Sequence, residues 1–198
     1  MTDGRAFALL VVDVQNDFCP GGALAVRNGD SVIAPLNRAI DWTQAHGGTV
    51  YASRDWHVPD AGHFTPYGGI WPVHCVQQTP GARFHPALHL PDEATIVTKG
   101  DGASSDGYSA FEGRTPAGAS LAHDLREKDV GRLYVGGLAT DYCVRQSVLD
   151  ALDTGLDVTV LTDAIAGVDL NPGDSAKALE EMRAAGAKFA TTLEVVST

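Results

Sequence analysis

Gly136-Gly137-Leu138-Ala139-Thr140-Asp141-Tyr142-Cys143-Val144 is the stretch whose reading decides the fold. Ahead of it, Arg132, Leu133, Tyr134 and Val135 form a short apolar run of strand character. Behind it, Val144, Val148, Leu149 and Leu152 recur at helical spacing. A strand running into a helix places Cys143 near a helix N-terminus, where the helix dipole and unpaired backbone N–H groups favour a thiolate and lower the thiol pKa. A lone cysteine in such a place also reads as a small buried hydrophobe, and most free cysteines are inert packing. The rest of the chain has to decide between the two.

Working outward, Ala6 to Val12 is an unbroken apolar run, as expected of a strand buried on both faces of a parallel sheet, and it ends in Asp13. Asp30 is expected to cap a helix over 31–46, which Gly47 stops. A second strand over 49–53 ends at Arg54 and Asp55, and a third over 94–98 ends at Lys99. Thr115 and Pro116 are expected to start a helix reaching about residue 128. The fourth strand, 132–135, feeds the opening stretch and a helix over 142–154 closed by Gly155. A strand over 156–161, a helix over 173–185 and a strand over 188–191 complete the chain.

Strands alternating with helices predict a three-layer, doubly wound α/β fold: a six-stranded parallel sheet with helices on both faces, in the order 3-2-1-4-5-6. That order puts the first and fourth strands side by side at the topological switch point, where ligands bind beyond the carboxyl ends of the strands. Asp13 ends the first strand, Lys99 ends the third and Cys143 follows the fourth. Three reactive groups from remote parts of the chain are therefore expected on one rim, and packing ceases to be the natural explanation of Cys143. Taken singly, Asp13 also reads as a strand-end carboxylate bonding the next turn, and Lys99 as an exposed strand-end lysine. Taken together, the carboxylate can remove the thiol proton if burial raises its pKa, and the ammonium can hold the two anionic groups together.

At 198 residues, with 44% apolar and 20% charged residues, one globular domain over 1–198 is expected. The net charge of -11 argues against nucleic acid and against an anionic membrane surface, both of which need a basic face. It suits a small neutral or cationic ligand and leaves a homo-oligomer open. The seven-residue apolar run near the N-terminus is too short to span a bilayer and lacks a signal-peptide pattern. Three cysteines do not make a disulfide framework, so a cytoplasmic, reducing location is expected.

Two loops stand out. Residues 100–113 are rich in Gly and Ser. Residues 56–91 contain no long periodic segment, and a loop of that length inside a compact domain is usually functional. Five of the seven histidines, His57, His63, His74, His85 and His89, fall in or beside it, next to Asp55. Imidazoles and a carboxylate gathered in one segment suit a divalent ion such as Zn, Fe or Mn. With no tight ligand motif, the pattern alone leaves metal binding and loop packing both open.

Five segments carry a resemblance: Val-Val-Asp-Val-Gln-Asn-Asp-Phe at 11–18, Ser-Arg-Asp-Trp-His at 53–57, Trp-Pro-Val-His-Cys at 71–75, Thr-Lys-Gly at 98–100 and Gly-Leu-Ala-Thr-Asp-Tyr-Cys-Val at 137–144. In this order, spanning most of the chain, they resemble the isochorismatase-like cysteine hydrolases and in particular the nicotinamidases, also called pyrazinamidases. The resemblance implies that Asp13, Lys99 and Cys143 form a catalytic triad. It implies a cis peptide between Leu138 and Ala139 that would turn the backbone N–H groups of Ala139 and Cys143 toward one point as an oxyanion hole. It further implies Asp55, His57, His63 and His74 as ligands of one divalent ion, which binds the ring nitrogen of the substrate, with Phe18, Trp71, Tyr108, Leu138 and Ala139 around that ring. His85 and His89 have no ligand role in this pattern, and Cys19 and Cys75 do not occupy the nucleophile's position.

The implied activity is hydrolysis of nicotinamide to nicotinate and ammonia, and of pyrazinamide to pyrazinoate, through a thioester. Three alternatives are weaker matches. A metal-free amidase acting on carbamoyl or ureido groups would not need the histidines, an isochorismatase proper would not need a nucleophilic cysteine, and a non-catalytic metal-binding protein would not need the triad.

Overall fold

The structure, a computed structural model, describes residues 5–102 and 107–197; positions 103–106 of the Gly/Ser-rich loop expected over 100–113 lie outside the described residues. Six strands form one sheet: β1 (Ala6–Val12), β2 (Thr49–Asp55), β3 (Thr95–Lys99), β4 (Val130–Leu138), β5 (Asp157–Ala166) and β6 (Lys188–Ala190). All neighbours pair in parallel, in the order β3-β2-β1-β4-β5-β6. This is the order expected from the sequence, and β1 and β4 meet at the switch point.

The helices are α1 (Ile33–Ala45), α2 (Leu121–Glu127), α3 (Arg145–Asp153), α4 (Asp174–Ala184) and α5 (Thr192–Val196). Successive residues of β1 serve opposite faces, as the strand pleat requires. Leu9 and Val11 pack with Ile33, Leu36 and Ile40 of α1 and Val195 of α5. Ala8, Leu10 and Val12 pack with Leu121 and Leu125 of α2, Val148 of α3 and Met182 of α4. Both faces are thus covered, which is why the run from Ala8 to Val12 is fully buried and carries no polar residue. Among the described residues no helix is long and apolar enough to cross a membrane.

Several boundaries differ from those expected. The chain turns at Asn28 in the left-handed region and winds a 3-10 turn over Gly29–Val32 before α1. Val32, without a side-chain bond, occupies the N-cap position, so Asp30 does not cap the helix. Thr115 does not start α2. Its N–H bonds the Ala119 carbonyl at 2.9 Å and closes a tight turn, and the helix begins after Ser120, whose side chain accepts from the His123 N–H. β4 and β5 run on to Leu138 and Ala166, past the stretches with clear strand composition. α5, capped reciprocally by Thr191 and Glu194, was not anticipated.

The long loop after β2 is folded back by short pairings. Gln15 pairs antiparallel with Phe84, His57 parallel with Val76, and Phe64 with Trp71. These pairings tie the loop back to the segment after β1 and to itself.

Candidate active site

Each triad candidate sits where its strand stops. Asp13 follows β1 at φ 49, a left-handed conformation that Asp tolerates better than most residues. Its Oδ1 accepts from the Ser53 hydroxyl at 2.7 Å, and its Oδ2 lies 2.7 Å from Lys99 Nζ. Lys99 Nζ also donates to Asp55 Oδ1 and, at 2.7 Å, to the Gly107 carbonyl, and lies 3.5 Å from Cys143 Sγ. One side-chain ligand atom each of Asp13, Asp55 and Cys143 fall within 4.8 Å of one another. With an ammonium already bridging both carboxylates, that trio reads as a proton-handling group.

All of these side chains are buried, and burial together with the charges packed beside them sets their proton affinities. Burial raises the Asp13 carboxyl, and the nearby Asp55 charge adds to the rise, against the opposing pull of Lys99. Burial alone would lower Lys99, but the Asp13 and Asp55 charges outweigh it and hold the ammonium firmly protonated. Burial would likewise raise Asp55, yet the Lys99 charge keeps it below the usual carboxylate range. The Cys143 thiol is pushed well up by burial and by Asp13, despite the Lys99 charge. This corrects the helix-dipole expectation: Cys143 lies in a single π turn over Thr140–Val144, ahead of α3, and desolvation dominates.

Beside the triad, the ligand atoms of His57, His63 and His74 fall within 4.8 Å of one another. Nδ1 of His57 donates to the Gly100 carbonyl at 2.9 Å, and Nδ1 of His74 donates to the Pro72 carbonyl at 2.8 Å. Those bonds fix each ring's tautomer and leave Nε2 as the lone-pair nitrogen, the usual outer support of a metal-binding imidazole. The two Nε2 atoms lie 3.4 Å and 3.9 Å from Asp55 Oδ2. Three imidazoles and one carboxylate converging in a buried spot are a donor set that fits a borderline divalent ion. Gly100 is required here: at φ 66 it takes a conformation L side chains rarely adopt, and a Cβ would overlap the His57 ring.

The two clusters open onto one cavity. Phe18, Trp71, Tyr108 and Ala139 line it, with Cys143 and the three histidines in its wall. Trp71 Nε1 donates to the Tyr108 hydroxyl at 2.9 Å, which braces the two aromatic walls against each other.

A model of the isochorismatase domain matches residues 7–194. The chain belongs to the isochorismatase family. It is 47% identical to a nicotinamidase of Escherichia coli (strain K12), over 93% of this chain and 94% of that protein. It is 44% identical to a nicotinamidase/pyrazinamidase of Mycobacterium tuberculosis (strain ATCC 25618 / H37Rv), over 92% of this chain and 97% of that one. The crystal structure of the pyrazinamidase of Pyrococcus horikoshii in complex with zinc superimposes with a TM-score of 0.86 at 45% identity, covering 93% of this chain and 98% of that one.

Within this isochorismatase-family site, the peptide between Leu138 and Ala139 is cis, as the resemblance implied. Leu138 itself does not join the cavity. Its side chain packs into the buried cluster with Leu36 and Ile40 of α1 and is absent from the cavity lining. The structure brings together Asp13, Lys99 and Cys143, and it brings together Asp55, His57, His63 and His74. His85 and His89 stay outside both groups: His85 accepts from the Ala87 N–H, and His89 is exposed. Cys19 and Cys75 are buried free thiols; burial pushes Cys19 up to about 11 and raises Cys75 as well.

Leu24, Tyr142 and Val168 also line the cavity and were not anticipated. Tyr142 stacks on Tyr108 at 5.9 Å and meets Trp71 edge-on at 4.9 Å. Its place next to Cys143 was the available signal. Val168 is held by Asp141, whose two carboxylate oxygens accept from the Val168 and Asp169 N–H groups at 2.9 and 2.8 Å. Nothing local in the sequence announces that long-range bond.

Proposed function

We propose that this protein hydrolyses nicotinamide to nicotinate and ammonia, and pyrazinamide likewise, with Cys143 as nucleophile. The observation that carries the reading is the meeting, in one aromatic-walled cavity, of the Asp13–Lys99–Cys143 group and the Asp55, His57, His63 and His74 cluster. The relatives described above, nicotinamidases and a pyrazinamidase, support it.

Cys143 is buried with a raised pKa, so it is a thiol at rest. Asp13, a base strengthened by burial, takes the Sγ proton as sulfur bonds the carboxamide carbon, while Lys99 steadies the charges of both groups. The N–H groups of Ala139 and Cys143 receive the negative charge that develops on the carboxamide oxygen. Asp13 then gives its proton to the departing nitrogen, ammonia leaves, and a nicotinoyl thioester on Cys143 remains. Water attacks that carbonyl as Asp13 removes its proton, the carbon–sulfur bond breaks, and the proton returns to sulfur as nicotinate leaves. Lys99 stays protonated throughout.

Asp55, His57, His63 and His74 would hold one divalent ion of the zinc, iron or manganese class. When bound, it supplies a Lewis-acidic partner for the ring nitrogen, so that binding orients the carboxamide toward Cys143. Phe18, Trp71 and Tyr108 grip the flat ring and exclude water.

Purified protein should release ammonia from nicotinamide, and Cys143→Ala should abolish release while keeping the fold. Rapid acid quench followed by mass spectrometry should show a nicotinoyl adduct on a peptide containing Cys143. No ammonia release from the metal-loaded wild type would refute the function, and substantial turnover by Cys143→Ala would refute the nucleophile.

A further inference from the structure

The segment after Asp13 carries a second layer of the site. Gln15 is fully buried, and every polar atom of its side chain is engaged. Its Nε2 donates to the Asp55 carbonyl at 2.8 Å and to the Ala82 carbonyl at 2.9 Å, while its Oε1 accepts from the Asp55 N–H at 2.8 Å. The amide therefore grips both backbone groups of Asp55, forty residues away, as a neighbouring strand would. Only a primary amide offers two donors and an acceptor in this arrangement; a carboxylate would face two carbonyl oxygens.

Two residues on, Asp17 does the same for the other end of the loop. Its Oδ2 accepts from the Cys75 N–H at 2.7 Å, and its Oδ1 accepts from the Ala23 N–H at 3.2 Å. Cys75 follows His74 and sits at φ 45, a conformation a non-glycine residue keeps only when its surroundings hold it. Its carbonyl in turn accepts from the His57 N–H at 3.0 Å. Asp55, His57 and His74 are thus tied through backbone bonds to one short segment of the chain. Asp13 and Phe18, a triad member and a cavity wall, bracket that segment.

From this geometry we infer that Gln15 and Asp17 are positioning residues for the metal-ligand set, neither touching substrate nor ion, each fixing the backbone from which a ligand side chain extends. The inference rests on the reading of Asp55, His57, His63 and His74 as ligands. Ligand rings and carboxylates misplaced by a fraction of an ångström bind an ion more weakly, and loss of such outer supports characteristically lowers metal affinity roughly 10- to 100-fold.

The test is titration of zinc against a chelating dye, on the wild type and on Gln15→Glu, Gln15→Met and Asp17→Asn. Each variant should bind zinc roughly 10- to 100-fold more weakly at unchanged stoichiometry. Cobalt loaded in place of zinc should show an altered visible absorption band, a signature of ligand geometry. Leu125→Ala, a core truncation on α2 far from the loop, serves as the control: it should lower thermal stability and leave zinc affinity and the cobalt band unchanged. Asp17→Asn keeps one acceptor oxygen at a half-buried position, so it carries the test even where a Gln15 variant does not fold. Variants that bind zinc within twofold of the wild type would overturn the inference. A wild type that takes up no zinc at all would instead overturn the metal reading on which it stands.

Discussion

Replacing Lys99 with methionine removes the ammonium that Asp13 and Asp55 share. Lys99 Nζ lies 2.7 Å from Asp13 Oδ2 with both groups inaccessible to solvent. At that separation and an effective dielectric constant of about 20, the Coulomb term is about 6 kcal/mol. Proton uptake by the stranded carboxylates limits the realised loss, and removing one partner of a buried ion pair typically costs about 3–5 kcal/mol. Against a total stability of about 5–15 kcal/mol, that is a large fraction.

The loss should depend on pH, with a definite sign. In the variant, burial without a cation lifts Asp13 further and carries Asp55 above its unfolded value of about 3.9. The folded form then binds protons that the unfolded chain does not, so variant stability falls as pH rises through that window. In the wild type, Lys99 helps hold Asp55 below the usual carboxylate range, and its contribution is present above about pH 4. The gap between the two proteins should be widest near pH 7.5 and narrower near pH 5. Urea denaturation followed by circular dichroism, in one chelator-containing buffer, measures it. In a double-mutant cycle with Asp13→Asn, the coupling should exceed about 2 kcal/mol. A loss below about 1 kcal/mol at pH 7.5, an equal loss at both pH values, or additivity within about 0.5 kcal/mol would refute the assignment of Lys99 as the shared counter-ion.

Asp141→Asn leaves one acceptor oxygen where two N–H groups, of Val168 and Asp169, need partners. At about 1–2 kcal/mol for the lost bond, KM for nicotinamide should rise roughly 5- to 30-fold, with kcat within about threefold of the wild type. Steady-state kinetics decides it; a fall in kcat at unchanged KM would show that Asp141 does not act through the cavity wall. Far from the site, the Tyr51 hydroxyl donates to Asp124 Oδ2 at 2.6 Å, and Lys128 Nζ lies 2.7 Å from the same oxygen. Burial would raise Asp124, but the bonds from Lys128 and Tyr51 prevail and lower it. Tyr51→Phe should therefore cost about 1–2 kcal/mol at pH 7, and the difference should shrink as pH falls below about 4, through the depressed folded pKa. Denaturation curves at several pH values check this, and a pH-independent difference would contradict it.

What could be read from the chain follows from the range over which each residue's neighbours act. β1 was legible because a strand covered on both faces admits no polar residue from Ala8 to Val12, and no other element makes that demand over so short a run. Composition marks only 132–135 as strand, two residues short of the start of β4 and three short of its end, and at the end Gly136 and Gly137 have no side chains to signal a strand. Yet Gly137 pairs with Val12 at φ 129, where a Cβ would strike the Val12 backbone, so the missing side chain is itself what lets the two strands close at the switch point. Asp13, Lys99 and Cys143 were found because strand order alone brings their Cα atoms to one rim. Leu24 and Val168 reach the cavity through loops that only tertiary bonds such as Asp141 to Val168 hold in place, whereas Tyr142 stands beside Cys143 in the π turn, where adjacency to the nucleophile was the signal.

The error over Cys143 is of another kind. The helix-end reading treats the cysteine as if its environment were local and lowers its pKa, while the strand-order reading already supplies Asp13 as the base for its proton. In the fold, desolvation of Sγ outweighs the Lys99 charge, and the same burial raises Asp13. A thiol and a carboxylate raised together, with Lys99 fixed between them, keep sulfur protonated until its proton has Asp13 to go to. Activation then belongs to the pair and proceeds by transfer within it. The reactive anion then forms only with a carboxamide in front of it, and a lone cysteine at a helix end could not be protected in that way.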